Sequence, residues 1–278
     1  MEPRVEDTVQ EPEPGRFRRR RRRRERRGRP RGFYLLPHLV TTAGLFFGFY
    51  AIVQAFTGSP DRAGLGIILA AVCDALDGRL ARMARSASRF GLEYDSIADT
   101  VSFGVAPAAL VYSSGGLHGL GRVGLVMAFL YVAGAALRLA RFNVTPSRYR
   151  GRFEGMPSPA AAGMVASTQW FVSFLAEHGI ELAVPAPLVA IAAAGLGLLM
   201  VSSIPYRSFK ELDLRHSYGT LVIVVFAVAL VIQEPSLTLF AIGLAYVISG
   251  PAEWLWRWFT RQPLEESHEA IAQEATQG

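Results

Sequence analysis

Eight hydrophobic segments follow one another along most of the 278-residue chain. Each is about 20 residues long, the length with which an α-helix crosses a hydrocarbon core of roughly 30 Å. Helices are the open-chain structure that satisfies every backbone hydrogen bond there. The sequence therefore predicts an all-α, polytopic membrane bundle of about eight helices. The predicted spans are residues 35–57, 63–88, 95–114, 119–142, 157–177, 185–204, 217–233 and 236–259.

Basic residues are distributed unevenly between the connections of these spans. With eight spans, the connections on the side of the N terminus carry 14 Lys and Arg residues, whereas the opposite side carries Arg62 and Arg122. Because Lys and Arg are enriched in cytoplasmic loops, this asymmetry predicts that both termini lie in the cytoplasm. We therefore expect a multi-pass protein of the cell (inner) membrane.

The first 32 residues form an arginine-rich arm. This arm holds 13 arginines against six acidic residues, whereas the rest of the chain holds 16 basic and 17 acidic residues. Its low complexity predicts disorder. Because a hydrophobic span follows directly, we interpret the arm as an orientation signal and an anchor to anionic lipid, and we expect no nucleic-acid partner. The predicted domains are a cytoplasmic arm (1–32), a transmembrane domain (33–260) and a short acidic cytoplasmic tail (261–278).

Four aspartates, Asp74, Asp77, Asp95 and Asp99, lie between uncharged apolar runs. The first two are three residues apart and the last two are four apart, so on helices each pair shares one face, with Cβ atoms about 5–6 Å apart. Carboxylates that converge inside a membrane repel one another and are costly to desolvate unless cations compensate them. All-oxygen ligands suit Mg²⁺, Mn²⁺ or Ca²⁺. The spacing therefore predicts a divalent-metal site.

The aspartates belong to a longer pattern, Asp74-x2-Asp77-Gly78-x2-Ala81-Arg82-x8-Gly91-x3-Asp95-x3-Asp99. At every fixed position this pattern resembles the signature of the CDP-alcohol phosphatidyltransferase family. The resemblance implies that two divalent cations, Mg²⁺ or Mn²⁺, are bound by the aspartates and that Asp99, besides contacting metal, is the catalytic base.

The same resemblance implies a donor site and an architecture. It assigns CDP-diacylglycerol binding to Asp74, Gly78, Arg82 and Gly91. It also implies a six-helix family core, to which this chain adds two C-terminal helices, and a homodimer in the membrane.

Two later stretches, residues 137–143 and 155–160, are similar, together with residues 99–107, to the phosphatidylserine synthase branch of this family. The similarity implies that L-serine is the acceptor and that phosphatidylserine and CMP are the products. An arginine can bind a carboxylate through two hydrogen bonds. Arg138, Arg141 and Asn143 are therefore the predicted serine-binding residues.

Several alternatives are open from the sequence. The acceptor could be another alcohol, such as glycerol 3-phosphate or inositol phosphate, and the aspartates could instead serve a divalent-cation transporter. A scaffold whose arginine arm recruits nucleic acid is a third interpretation. We interpret Thr41 and Thr42 as hydroxyls bonded within their own helix, and the single cysteine, Cys73, as an apolar filler that excludes an intramolecular disulfide.

Overall fold

The computed structural model describes residues 35–84, 89–144, 152–207, 225–226 and 229–260. The predicted arm (1–32), the predicted tail (261–278) and most of the predicted span 217–233 lie outside these residues. The α-helices are α1 (Leu35–Phe56), α2 (Pro60–Ala84), α3 (Arg89–Asp99), α4 (Ala106–Ser114), α5 (Arg122–Val144), α6 (Ser158–Glu177), α7 (Ala186–Val201) and α8 (Pro235–Thr260).

The helices confirm the predicted all-α membrane class. Three of them are long and apolar enough to cross a membrane by length and composition, namely α5, α8 and α1 from Pro37 onward. Helices also occupy the other predicted spans except for 217–233, of which residues 225–226 and 229–233 are described and helical. The count of eight spans therefore stays a prediction.

The third predicted span is built from three helical segments. Its helix begins at Arg89, six residues earlier than predicted, because a polar first turn lowers hydropathy without ending a helix. After α3 comes a π-helical segment, Thr100–Val105, in which the N–H of Ala106 bonds to the carbonyl of Val101. Pro107 follows at once and has no N–H to donate. The wider π turn therefore falls where α-helical bonding is interrupted, and α4 continues beyond it.

Small residues let the helices approach closely around an alanine-rich core. A Cβ atom built on Gly134 of α5 would overlap the backbone carbonyl of Gly197 of α7. Between α1 and α2, a Cβ atom on Gly66 would lie 2.9 Å from the carbonyl oxygen of Phe47. Helices in a membrane associate largely through such close packing, because lipid is as apolar as their side chains.

Two three-residue strands, which the sequence analysis missed, connect helix ends. β1 (Arg152–Glu154) pairs antiparallel with β2 (Pro205–Arg207), and Phe153 lies opposite Tyr206. The buried Tyr206 donates a hydrogen bond of 3.1 Å from its hydroxyl to the carbonyl of Val247 on α8. Burial raises the pKa of Tyr206 to about 12, so this hydroxyl keeps its proton. The strand pair is thereby attached to α8.

A carboxylate surrounded by arginines strengthens the same junction. Glu253 of α8 forms ion pairs with Arg152 at 2.8 Å, Arg257 at 2.9 Å and Arg207 at 3.2 Å. These four residues, hereafter the Glu253 cluster, join β1, β2 and the last turns of α8. The cluster carries three positive charges against one negative charge.

Candidate metal and phosphoryl-transfer site

Three of the four signature aspartates come together between two helices. Asp74 lies on α2, and Asp95 and Asp99 lie on α3. One carboxylate oxygen from each lies within 4.8 Å of the other two. The four-residue spacing puts Asp95 and Asp99 on one face of α3, and that face meets α2 at Asp74.

The fourth aspartate, Asp77, bonds to α1 instead of joining that group. Its side chain is buried, and its Oδ2 accepts a hydrogen bond of 2.9 Å from Oγ1 of Thr41. The same hydroxyl lies 3.0 Å from the carbonyl oxygen of Pro37, so its single proton is shared between Asp77 and this acceptor within its own helix, which is the partner expected from the sequence. That interpretation missed the second role of Thr41, which is to hold Asp77 in place.

A small cavity of about 10 Å³ lies among the four carboxylates. A volume of this size has room for about one water-sized sphere. Ser102, from the π-helical segment, closes one side by donating a hydrogen bond of 3.2 Å from its hydroxyl to the carbonyl of Gly44. The cavity is lined by Thr41, Gly44, Ala70, Asp74, Asp77, Asp95, Ala98, Asp99, Ser102 and Phe103.

The chemistry of this donor set fits a divalent cation. The polar groups that line the cavity offer oxygen atoms, which are the ligands that Mg²⁺, Mn²⁺ and Ca²⁺ prefer. Three carboxylates this close repel one another strongly in a membrane protein unless positive charge lies between them. Asp74, Asp95 and Asp99 could therefore bind a divalent metal ion.

The residues predicted to bind the donor lie near the C-terminal end of α2 and the N-terminal end of α3. Gly78 follows Asp77 directly, and among the described residues the atom within 4 Å of a Cβ built there is Nη1 of Arg82, at 3.7 Å. Arg82 is exposed in the last turn of α2, and Gly91 lies one turn before Asp95 on α3. The backbone at Gly78 is thus open to a ligand that Arg82 could contact.

Arg138, one of the three predicted serine-binding residues, lies close enough to the aspartates for its charge to act on Asp99 and Asp74. Its Nη1 donates a hydrogen bond of 3.0 Å to the hydroxyl of Ser158, which is fully buried at the start of α6. Its Nε is buried and has no hydrogen-bond partner among the described residues. Arg138 therefore combines a fixed position with an unused donor.

The other two predicted serine-binding residues have different surroundings. Arg141 forms an ion pair with Glu154 of β1, and its Nη1 lies 3.4 Å from the carbonyl oxygen of Val201. Asn143 is exposed and donates a hydrogen bond of 2.8 Å to the hydroxyl of Ser96 on α3. Of the three, Arg138 has the clearest electrostatic connection to the aspartates.

Aromatic rings that the sequence analysis did not single out lie beside the site. Phe90 and Tyr94 of α3 stack with ring centroids 5.9 Å apart, and His38 of α1 meets Phe90 edge-on at the same distance. The hydroxyls of Tyr94 and Thr42 lie 2.9 Å apart and share a hydrogen bond. The i, i+4 spacing of Phe90 and Tyr94 was the available sequence signal for this group.

Comparison with known proteins gives a consistent result. The sequence profile described as CDP-alcohol phosphatidyltransferase matches residues 34–249. The chain is 34% identical over 223 residues to the CDP-diacylglycerol--serine O-phosphatidyltransferase of Helicobacter pylori strain 26695, covering 80% of this chain and 92% of the relative.

Two further relatives carry the same name. The Mycobacterium tuberculosis H37Rv protein is 32% identical over 264 residues, which is 85% of this chain and 86% of the relative. The Bacillus subtilis protein is 33% identical over 176 residues, which is 63% of this chain and 92% of the relative. These similarities extend well beyond the aspartate pattern.

Proposed function

Because the chain belongs to the CDP-alcohol phosphatidyltransferase family, we propose that it transfers the phosphatidyl group of CDP-diacylglycerol to the hydroxyl of L-serine. The products are phosphatidylserine and CMP. The names of relatives in three bacteria support this donor and acceptor. The observation that carries the proposal is the meeting of the Asp74, Asp95 and Asp99 carboxylates within 4.8 Å.

The aspartates have two tasks in this reaction. Asp74, Asp77 and Asp95 would hold two divalent cations, Mg²⁺ or Mn²⁺, whose positive charge would offset the negative charge of the diphosphate and of CMP. Asp99 would also contact metal. It accepts the proton of the serine hydroxyl while the serine oxygen bonds to the phosphorus of the phosphatidyl group and the bond from that phosphorus to CMP breaks. Thr41 keeps Asp77 oriented through the hydrogen bond to its Oδ2.

The donor is bound by residues at the ends of α2 and α3. The absence of a side chain at Gly78 lets the nucleotide approach the backbone of α2, and Arg82 pairs with a phosphate oxygen. The absence of a side chain at Gly91, one turn from Asp95, likewise lets the donor approach the backbone of α3. The acyl chains of the donor stay in the bilayer while its charged head enters the site.

The acceptor site is centred on Arg138. Its guanidinium is fixed by Ser158, and its buried Nε, which has no hydrogen-bond partner among the described residues, suits the carboxylate of serine. The electrostatic interaction between Arg138 and Asp99 supports a serine hydroxyl near the base. Asn143 completes the site from the end of α5. Arg141 contributes less directly, because its guanidinium pairs with Glu154.

The proposal includes an orientation and an assembly. The site and both termini face the cytoplasm of an inner membrane, in accord with the 14 basic residues on that side. Residues 33–260 form the transmembrane domain, flanked by a cytoplasmic arm and tail. The family resemblance implies that two such domains form a homodimer.

The test is release of CMP from CDP-diacylglycerol by purified protein with Mg²⁺ or Mn²⁺. Serine, glycerol 3-phosphate and inositol phosphate are compared as acceptors. We expect release that requires serine and metal, that is lost in Asp95→Asn, and that persists in Glu93→Gln, a matched change at an exposed position of α3. Release with another alcohol alone would contradict the acceptor, and metal binding without release with any alcohol would favour a transporter.

A further inference from the structure

A large apolar groove is lined by residues other than those around the aspartates. It has a volume of about 810 Å³ and is lined by side chains of α4, α6, α7 and α8. The lining includes Leu110 of α4, Val165 of α6 and Val247 of α8. None of its lining residues also lines the aspartate cavity. The groove and the proposed catalytic site are therefore separate.

The groove follows α7 along its whole length. Its lining includes Val184, just before α7, and Ser202, just after it. A 16-residue helix is roughly 24 Å long, which is most of a hydrocarbon core of about 30 Å. Gly195 keeps the groove wide, because no atom of the described residues lies within 4 Å of a Cβ built there. These dimensions suit an extended hydrocarbon chain.

One end of the groove lies beside the Glu253 cluster. Ile204 lines the groove, and β2 begins at the next residue and carries Arg207. Val247 lines the groove from α8, and the hydroxyl of its neighbour Tyr246 donates a hydrogen bond of 3.3 Å to the carbonyl of Arg207. The apolar walls of the groove therefore lie next to the arginines of the Glu253 cluster at the level of β2.

From this juxtaposition we infer that the protein binds an anionic phospholipid at a second site, with an acyl chain in the groove and the phosphate at the Glu253 cluster. Arg207 and Arg257 of the cluster share the single carboxylate of Glu253. Arg207 is the accessible one, since its side chain is 77% exposed. Arginine pairs well with phosphate oxygens. An uncharged hydrocarbon would use the groove but not the cluster, so the charge favours an anionic lipid.

The test measures the thermal unfolding temperature of the purified full-length protein in neutral detergent. Phosphatidylglycerol or phosphatidylcholine with the same acyl chains is titrated in, with EDTA and without CDP-diacylglycerol or serine. We expect phosphatidylglycerol to raise the unfolding temperature at concentrations at least fivefold lower than phosphatidylcholine does. Because no transfer reaction is measured, failure of the proposed function would leave this test unaffected.

Paired variants separate the two parts of the site. Arg207→Gln should weaken the phosphatidylglycerol effect at least threefold, whereas Arg122→Gln, at an exposed position at the start of α5, should not. Gly195→Leu should weaken the effects of both lipids at least fivefold. Gly163→Leu is its control, because Gly163 also has open space around its Cβ position but does not line the groove.

Four outcomes would overturn the inference. Equal effects of the two lipids would exclude recognition of the charge, and an unchanged response of Gly195→Leu would exclude the groove. Equal protection by free glycerol 3-phosphate would show a phosphate site without a lipid site. Strong destabilisation by Gly195→Leu in lipid-free detergent would show that another part of the chain already fills the groove.

Discussion

Thr41 on α1 donates a hydrogen bond of 2.9 Å to Oδ2 of Asp77 on α2. Of the two signature aspartates on α2, Asp74 belongs to the group of three close carboxylates and Asp77 does not. The bond joins the first two helices at the edge of the carboxylate cavity. It also satisfies a buried acceptor that has little access to water, because Asp77 is 5% exposed. The first helix is thus part of the site although it contributes no charge to it.

Removing this hydroxyl should weaken both the fold and the activity. In Thr41→Val the buried Oδ2 of Asp77 loses its donor, which costs about 1–3 kcal/mol. We expect a lower unfolding temperature and slower CMP release. The control is Thr42→Val, which removes an exposed hydroxyl bonded to Tyr94 and should change stability less. Equal effects of the two variants would argue against a special role for Thr41.

Asp99→Asn should abolish turnover without unfolding the protein. Asparagine keeps the shape of the side chain but cannot accept the serine proton, and general-base catalysis typically contributes about 10²–10⁴-fold. We expect serine-dependent CMP release to fall by that order while the unfolding temperature changes little. CMP binding, measured calorimetrically with Mn²⁺, should persist. Near-normal turnover in Asp99→Asn would eliminate this residue as the base.

Arg138→Lys should raise the KM for serine selectively. Lysine keeps the charge but cannot bind a carboxylate with two parallel hydrogen bonds. Loss of a hydrogen bond to a charged group costs roughly 1.5–3 kcal/mol, which is about tenfold or more in affinity. The KM for CDP-diacylglycerol should stay within about twofold, since a structural defect would raise both.

Arg141→Lys is the matched control for that experiment. Because Arg141 pairs with Glu154, we expect this change to affect the KM for serine less than Arg138→Lys does. A larger effect at Arg141 would move the centre of the serine site to that residue. Equal increases in both KM values for Arg138→Lys would argue against a serine carboxylate contact.

Substitution by alanine should have opposite effects at Gly134, which lies at the contact between α5 and α7, and at Gly195, which lines the groove. In Gly134→Ala the new methyl group would overlap the carbonyl of Gly197, and overpacking costs about 1–3 kcal/mol. In Gly195→Ala the methyl group enters open space, and the lower entropy of the unfolded chain should stabilise by about 0.4–1 kcal/mol. Thermal unfolding in detergent measures both. A neutral Gly134→Ala variant would show that the two helices separate easily.

Much of this architecture follows from periodicity and charge. Long apolar runs predict helices because a membrane leaves the backbone no alternative, and the three- and four-residue spacings place the aspartate pairs on helix faces. The early start of α3 at Arg89 was missed because a polar turn carries no hydropathy signal. The strands β1 and β2 were missed because three residues are too short for a detectable alternation.

Within the site, residues predicted for the same task have different surroundings, for reasons that lie outside any local pattern. Asp77 differs from Asp74 because Thr41, 36 residues earlier, meets it across a helix contact. Arg141 differs from Arg138 because it forms an ion pair with Glu154, which lies on a strand that the sequence does not predict. Tertiary neighbours of this kind decide which contacts each of several similar side chains makes.

The π-helical segment Thr100–Val105 lets one span face two directions. Asp99 and Leu110 are 11 residues apart, which is about three turns of an uninterrupted α-helix, so they would lie on the same side. The wider π turn adds about one residue, or roughly 100° of rotation. Asp99 accordingly lines the carboxylate cavity and Leu110 the apolar groove. Deletion of one residue from this segment would rotate the apolar surface around Leu110 toward the carboxylate cavity. The length of the segment is therefore as important to the site as the aspartates themselves.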